Sequence, residues 1–469
     1  MLGSVALGAA TAGWSFAAGD AAAAATATAT AEIPWWDRGN FRPIAHELSD
    51  TKLRVRGTIP GDLHGLYARN GSNTRAGVPA HWFVGDGMVH GTWLGNGDAR
   101  AYRNRWVRTE TLASPPGSTT TGPPSLTTGY ANVSVISHAG RLLASGEIGL
   151  PWELDARDLS TRGVYDFGGR LNTSMTAHPK IDPVTGAMHF FGYWFSPPYL
   201  TYHVADASGA LVHSEPVDIP RSTMMHNFAI TDRDVVFMDL PVTFDVTALS
   251  TGIPYRWHPE AGARLGVMPL GGPASQIRWV DIQPGYVFHL VNAFRDGNDV
   301  VLDVCHHTKM FDPGVTDSGT PSLRRWRLAT GGTALRFSED IVADHDPGEL
   351  PTSDPRLVGR PHRYGYLLSS RDEGAGREPH FAGVIKRDFR TGTAEHWRPD
   401  TATHAGEFLF VPTGRGEDHG YLLTYTFDDA RKGSDLVILD ARDVAAGPVA
   451  TVELPGRVPY GFHATWVTA

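Results

Sequence analysis

A two-strand phrase recurs along this chain: a short alternating run ending in Asp or another polar residue, a turn that contains Gly or polar residues, and a second short run. Residues 152–155 lead into 163–167, and 202–206 pass through Gly209 to 211–213. Later copies are 326–328 with Gly331 and Gly332, 384–388 with Gly392, and 437–440 running on to 449–452. Two short β-runs joined by such a turn read as a hairpin, and another strand pair precedes each one. Shared among seven blades, the residues from Glu32 onward, about 438, give about 60 per blade, slightly above common propeller periods. The expected fold is an all-β, seven-bladed β-propeller. Its short helices and long loops would form a cap over one face, because sustained 3.6-residue periodicity is scarce. Segments 114–128, 196–198 and 312–322 are the candidate loops. No linker divides 32–469, which read as a single β-propeller catalytic domain.

Composition agrees with many short strands joined by turns, with 53 Gly, 33 Pro and 19% charged residues. A net charge of -9 and the lack of a long Lys/Arg run leave no basic field for a phosphate backbone, so no nucleic-acid partner is expected. No obligate protein partner is evident either. Cys305 is the single cysteine, which rules out an intramolecular disulfide and reads as a buried, inert thiol. Residues 1–31 form a signal-like, low-complexity segment: a small-residue apolar stretch over 2–18, then an Ala/Thr run over 21–31. No basic n-region precedes it, so export through a truncated or mis-started signal peptide stands beside a cytoplasmic protein with an Ala/Thr tail.

Four histidines sit in four separate strand-like stretches: His178, His226, His289 and His463. Their intervals of 48, 63 and 174 residues exceed any one helix or loop. They could share a metal only where strands from distant segments point at one axis, as the innermost strands of a propeller do. Within 287–291, strict alternation puts His289 on one face with Val287 and Val291, and Phe288 and Leu290 on the other. A single strand histidine is more often a hydrogen-bonded structural residue than a ligand. Four imidazoles without a carboxylate would suit a redox metal such as Fe(II), with two positions left open, whereas zinc would be closed by four ligands.

The surroundings of these histidines resemble the carotenoid cleavage oxygenase family (the retinal pigment epithelial membrane protein family), from about Gly61 to Trp466. The blocks that carry the resemblance are 61–71 (Gly-Asp-Leu-His-Gly-Leu-Tyr-Ala-Arg-Asn-Gly), 81–91 (His-Trp-Phe-Val-Gly-Asp-Gly-Met-Val-His-Gly) and 177–186 (Ala-His-Pro-Lys-Ile-Asp-Pro-Val-Thr-Gly). Blocks 359–364 and 410–412 are less specific. The resemblance implies that His178, His226, His289 and His463 hold Fe(2+), and that Glu147, Glu349 and Glu407 serve three of the four imidazoles; Glu349 has Asp340, Asp344 and Asp346 as near neighbours in sequence. No protein acid, base or nucleophile is implied beyond the metal centre.

The resemblance also implies a non-haem Fe(II) dioxygenase that cleaves a C=C double bond of a carotenoid or apocarotenoid to two carbonyl products. Its partners would be a hydrophobic conjugated substrate and O2. The alternatives are a stilbene-cleaving dioxygenase of the same family, its retinyl ester isomerohydrolase branch, and a non-catalytic ligand-binding propeller. The lignostilbene-cleaving branch engages a phenol with a lysine just before the glutamate that corresponds to Glu147; here that position is Gly146. Ser72, His362 and His419 also depart from the family's usual proline, tyrosine and aspartate. Tyr193, Trp194, Phe195, Tyr199, Leu200, Tyr202, Phe244, Tyr255 and Trp257 are candidates for a substrate tunnel, with blade-to-blade packing as the competing role. The stretch 194–199 is also a candidate for peripheral membrane contact.

Overall fold

The recurring phrase owes its shape to a side-chain turn. In the computed structural model, Asp155, Asp206, Asp388 and Asp440 each accept a hydrogen bond at 2.9 Å from the backbone N–H two residues on. The carboxylate replaces a ladder partner and ends the strand. The chain then reverses; at Gly209 the turn needs φ of 85°, a conformation that glycine alone adopts without steric cost. Four of the five phrases named from the sequence are outer hairpins of four-stranded sheets, and the fifth, 437–452, carries one further strand, Arg54–Gly57, on its outer side.

The described residues are 33–75, 77–114, 125–312, 321–343, 346–371 and 380–469. The signal-like segment 1–31 lies outside them, as do most of the candidate loops 114–128 and 312–322. Trp35–Ala469 forms one compact unit. Seven antiparallel sheets make the blades of a β-propeller. Blade 1 contains Gly65–Asn73, Asp86–Gly95 and Asp98–Trp106, and blade 2 runs from Ser134–His138 to Thr161–Val164. Blade 3 runs from Lys180–Ile181 to Leu211–Pro216, blade 4 from Phe228–Ile230 to Arg278–Ile282, and blade 5 from Tyr286–Asp296 to Arg336–Ala343. Blade 6 spans Gly348–Thr352 to Ala394–Trp397, and blade 7 Thr403–Ala405 to Pro448–Glu453.

The ring is closed from both ends of the chain. Ala464–Thr468 pairs with Gly65–Asn73 as the innermost strand of blade 1, while Arg54–Gly57 pairs with Pro448–Glu453 on the outside of blade 7. Closing the ring leaves no terminal blade with an uncovered apolar face, while each blade keeps a short outer edge.

Helices are few, as expected: the one α-helix among the described residues is Glu110–Ala113, and the others are short 3-10 turns. None is long and apolar enough to cross a membrane. Within blade 4 the hairpin of Val242–Phe244 and Tyr255–Trp257 is inserted, and its backbone bonds to 222–224, the segment that leads to His226. Cys305 is buried in an apolar cluster with Val291, Leu323, Leu367 and Ile385, and burial pushes its thiol pKa up, so it has no thiolate character at neutral pH.

Candidate metal centre

Each blade contributes one side chain to a cluster at the inner strands. His178 lies just before the inner strand Lys180–Ile181 of blade 3, His226 just before Phe228–Ile230 of blade 4, and His289 within Tyr286–Asp296 of blade 5. His463 immediately precedes Ala464–Thr468 of blade 1. The other three blades supply carboxylates: Glu147 follows Arg141–Ser145 in blade 2, Glu349 is on Gly348–Thr352 in blade 6, and Glu407 lies between Thr403–Ala405 and Leu409–Pro412 in blade 7.

Local irregularities aim these side chains. Pairing along the inner strand of blade 5 slips between Val287 and Leu290, so Phe288 and His289 together oppose one partner residue. That bulge overturns the strict alternation expected here: the Phe288 ring lies 6.0 Å from His289 and 5.0 Å from His226, beside the cluster rather than on the opposite face. A second irregularity falls between Glu349 and Thr352, where Leu350 takes φ of 47°. The loop to His463 is set by backbone bonds from Phe462 to Asn70, from Asn70 to His463, and from His463 to Val133. At Gly461 a Cβ would stand 2.6 Å from the Asn70 carbonyl, so no larger residue fits.

The four imidazole nitrogens lie within 4.8 Å of one another. Nε2 of His226 is 2.8 Å from that of His178 and 3.4 Å from that of His289, which in turn is 3.3 Å from Nε2 of His463. Three imidazoles donate from Nδ1 to carboxylates: His226 to Glu147 at 2.8 Å, His289 to Glu349 at 2.6 Å and His463 to Glu407 at 2.6 Å. A carboxylate only accepts, so the proton of each ring is on Nδ1 and a lone pair remains on Nε2. Three lone pairs therefore face a common point, with no proton between them to relieve the repulsion. A cation there turns that repulsion into ligation, and nitrogens bound to one ion by bonds of about 2.1 Å lie about 3.0 to 4.2 Å apart. The donor set fits a metal ion.

The electrostatics agree. Burial and the neighbouring imidazoles hold His178 well below its usual pKa, and burial lowers His289 to about 4, so both rings are neutral at pH 7. Burial alone would raise the Glu349 carboxyl, but His289 and His307 outweigh it and hold it well below the usual carboxylate range.

The second oxygen of each carboxylate is also held. Glu147 accepts from the Tyr193 hydroxyl at 2.7 Å, Glu349 from His307 Nε2 at 3.0 Å, and Glu407 from the Ala464 N–H at 2.8 Å. Tyr193, a candidate for a tunnel wall or for packing, is buried with its hydroxyl on Glu147. Leu200 and Tyr202 are fully buried between blades, which is the packing role. Trp194 and Phe195 pack on each other at 4.3 Å and Phe195 on Phe244 at 5.8 Å, so these apolar faces of the proposed membrane patch are partly used within the chain.

The aromatic wall beside the cluster comes from other residues. From Phe288 it runs to Phe83 at 6.3 Å and Phe311 at 6.1 Å, from Phe83 to Phe462 at 5.7 Å, and from Phe462 to Trp82 at 4.8 Å. Adjacency was the available signal, since Phe288 and Phe462 directly precede His289 and His463. His307 had no such signal: it becomes a neighbour of Glu349 only through the sheet. His362 packs edge-on to Phe294 and Phe389, with Nε2 3.2 Å from the buried carboxylate of Asp303, far from a ligand role.

Residues 41–468 match the family model of the retinal pigment epithelial membrane protein. The chain is 38% identical to a carotenoid cleavage oxygenase of Mycobacterium tuberculosis (strain ATCC 25618 / H37Rv), with 91% of this chain and 96% of that protein covered. It is 32% identical to the carotenoid 9,10(9',10')-cleavage dioxygenase of Crocus sativus, over 92% of this chain and 88% of the relative. The crystal structure of a Pseudomonas brassicacearum lignostilbene dioxygenase superposes with a TM-score of 0.84 at 28% identity, covering 93% of this chain and 99% of that one.

Proposed function

The chain belongs to the retinal pigment epithelial membrane protein family, and we propose that within this family of oxygenases it is a non-haem Fe(II) dioxygenase that cleaves a C=C bond of a carotenoid or apocarotenoid into two carbonyl products. In this reading His178, His226, His289 and His463 hold the metal, and Glu147, Glu349 and Glu407 orient three of them. The residues 32–469 act as one catalytic domain. The observation that carries the reading is the convergence of four imidazoles, three of them fixed in direction by a tethered Nδ1–H.

Four imidazoles favour a borderline metal with more than four positions over a hard oxygen-seeking cation or a closed zinc site. When bound, Fe(II) would supply the one-electron chemistry that dioxygen requires and that acid/base side chains lack. The protein's own part is positional. Histidines of four blades fix the donors, and Phe288, Phe83 and Phe462 offer flat apolar faces against which a conjugated chain can lie. No proton transfer by a side chain is needed.

Where the lignostilbene-cleaving branch has a lysine, this chain has Gly146, which brings no ammonium to a phenol. A Cβ there would stand 3.1 Å from the Ala131 amide nitrogen, so the backbone is also drawn in where a long side chain would start. The lack of that ammonium supports a carotenoid or apocarotenoid over a phenolic stilbene. The likeness to a lignostilbene dioxygenase favours the second reading, stilbene cleavage.

Anaerobic loading with Fe(II), followed by labelled oxygen and a panel of β-carotene, apocarotenals and stilbenes, separates the two. Cleavage of a polyene with label in both carbonyl products is expected. Turnover of stilbenes alone would move the assignment to the second reading, and label in neither product would remove dioxygenation.

The glutamates make a finer test. Glu407→Gln keeps the size of the side chain but weakens its hold on His463, and should lower Fe(II) affinity about 10- to 100-fold, measured by competition with a chelator. An unchanged affinity would show that Glu407 does not orient a ligand.

A further inference from the structure

We propose that His307 is a positioning residue of the metal centre, the anchor of the carboxylate that orients His289; this rests on the metal assignment above. Glu349 extends from the irregular end of an inner strand, next to a residue with φ of 47°, so its backbone alone does not fix where its carboxylate points. Three donors do. Oε2 accepts from His289 Nδ1 and from the Leu350 N–H, both at 2.6 Å, and Oε1 accepts from His307 Nε2 at 3.0 Å.

His307 ends the strand Asp299–His307 and pairs across the ladder with Tyr286, so it belongs to the same sheet as His289. It is 4% exposed, and its Nδ1 has no hydrogen-bond partner. The ring thus has one polar contact, to Glu349. Burying an imidazole with one bare nitrogen is unfavourable against an apolar ring of the same shape, unless the other nitrogen does something an apolar ring cannot. Here it holds a charged oxygen that would otherwise be buried without a donor.

The other two carboxylates show the same pattern with different anchors, Tyr193 for Glu147 and the Ala464 amide for Glu407. His289 lies in the bulge shared with Phe288, so a regular ladder does not set the direction of its ring. If the outer oxygen of Glu349 is released, the carboxylate can turn about its last bond, and the hydrogen bond that keeps the His289 proton on Nδ1 loses its direction. The consequence is a weaker and less uniform metal site, and because His307 also packs on the Phe288 ring at 6.0 Å, the variant that keeps a ring there is the one used to read KM.

The test compares His307→Phe, which keeps an aromatic ring without a donor, with His307→Gln, whose amide N–H reaches in the direction of Nε2. Apo-protein is titrated anaerobically with Co(II) and followed by its visible absorption bands. His307→Phe should weaken Co(II) binding by about 10-fold or more and shift the bands, while His307→Gln stays within about threefold of the wild type with unshifted bands. With saturating Fe(II), His307→Phe should lower kcat and leave KM unchanged. In a Glu349→Gln background the His307→Phe change should add nothing further to the loss of Co(II) affinity, which separates the proposed route from a general loss of folding. Wild-type affinity and bands in His307→Phe, or equal losses in the Phe and Gln variants, would overturn the positioning role and leave the metal assignment intact. Failure of the wild-type protein itself to bind Co(II) or Fe(II) would overturn both.

Discussion

Replacing His226 or His463 by alanine is expected to abolish both metal retention and turnover. Each substitution removes one nitrogen donor and also takes from a carboxylate, half-buried Glu147 or buried Glu407, the N–H that it faces at 2.8 or 2.6 Å. The site then loses a ligand and leaves that carboxylate with one protein donor fewer, which together do more damage than either alone. Wild-type protein at about 100 times the dissociation constant of Fe(II) should gain about 2.7 kcal/mol from binding, read as a rise in Tm, and both variants should show none. His203→Ala is the control. His203 is fully buried as well, but hydrogen-bonds to Thr173 and Ser214 within blade 3 and its surroundings, so its loss should lower stability without removing metal. Normal turnover in His226→Ala or His463→Ala would contradict the ligand assignment.

Phe237→Ala should destabilise the fold by about 3–5 kcal/mol, the usual loss for an aromatic side chain deleted from a packed core. Phe237 is fully buried in blade 4, stacked on Phe228 at 6.2 Å, and meets Phe191 and Tyr202 of blade 3 at 6.4 and 5.8 Å. A cavity there loosens the joint between the two blades that carry His226 and His178. Neighbouring blades can relax only slightly into the gap, because both sheets are fixed within a closed ring. The loss is read from the urea midpoint at an unchanged slope, with metal content per folded chain retained. A change below about 1 kcal/mol would mean that this joint is not part of the core.

The parts of the fold that were legible are those made by neighbours in sequence. The outer hairpins could be found because Asp206 or Asp388 and the following glycine encode the turn locally. Ring closure could not be read that way: Ala464–Thr468 pairs with Gly65–Asn73, from the opposite end of the chain, with all the other blades between them in sequence. The alternation reading of 287–291 failed because a bulge leaves no trace in a hydrophobic pattern, which counts residues and not ladder partners. The tunnel candidates Tyr193, Leu200 and Tyr202 lie on strands whose side chains pack in the core, whereas Phe288 and Phe462, beside the cluster, sit one residue before a histidine. The four histidines and three glutamates were proposed together through the family's motifs. Their spacing alone left each of them an ordinary buried or surface residue, and the distances among them belong to the closed ring.

The most direct measurement is the iron stoichiometry of active protein, with turnover followed as Fe(II) is added anaerobically to metal-free chain. The account predicts that oxidative cleavage of the polyene rises linearly with bound iron, reaches its maximum at about one ion per chain, and is lost on chelation. Full activity in protein that binds no iron, or iron bound equally well by His226→Ala, would contradict it.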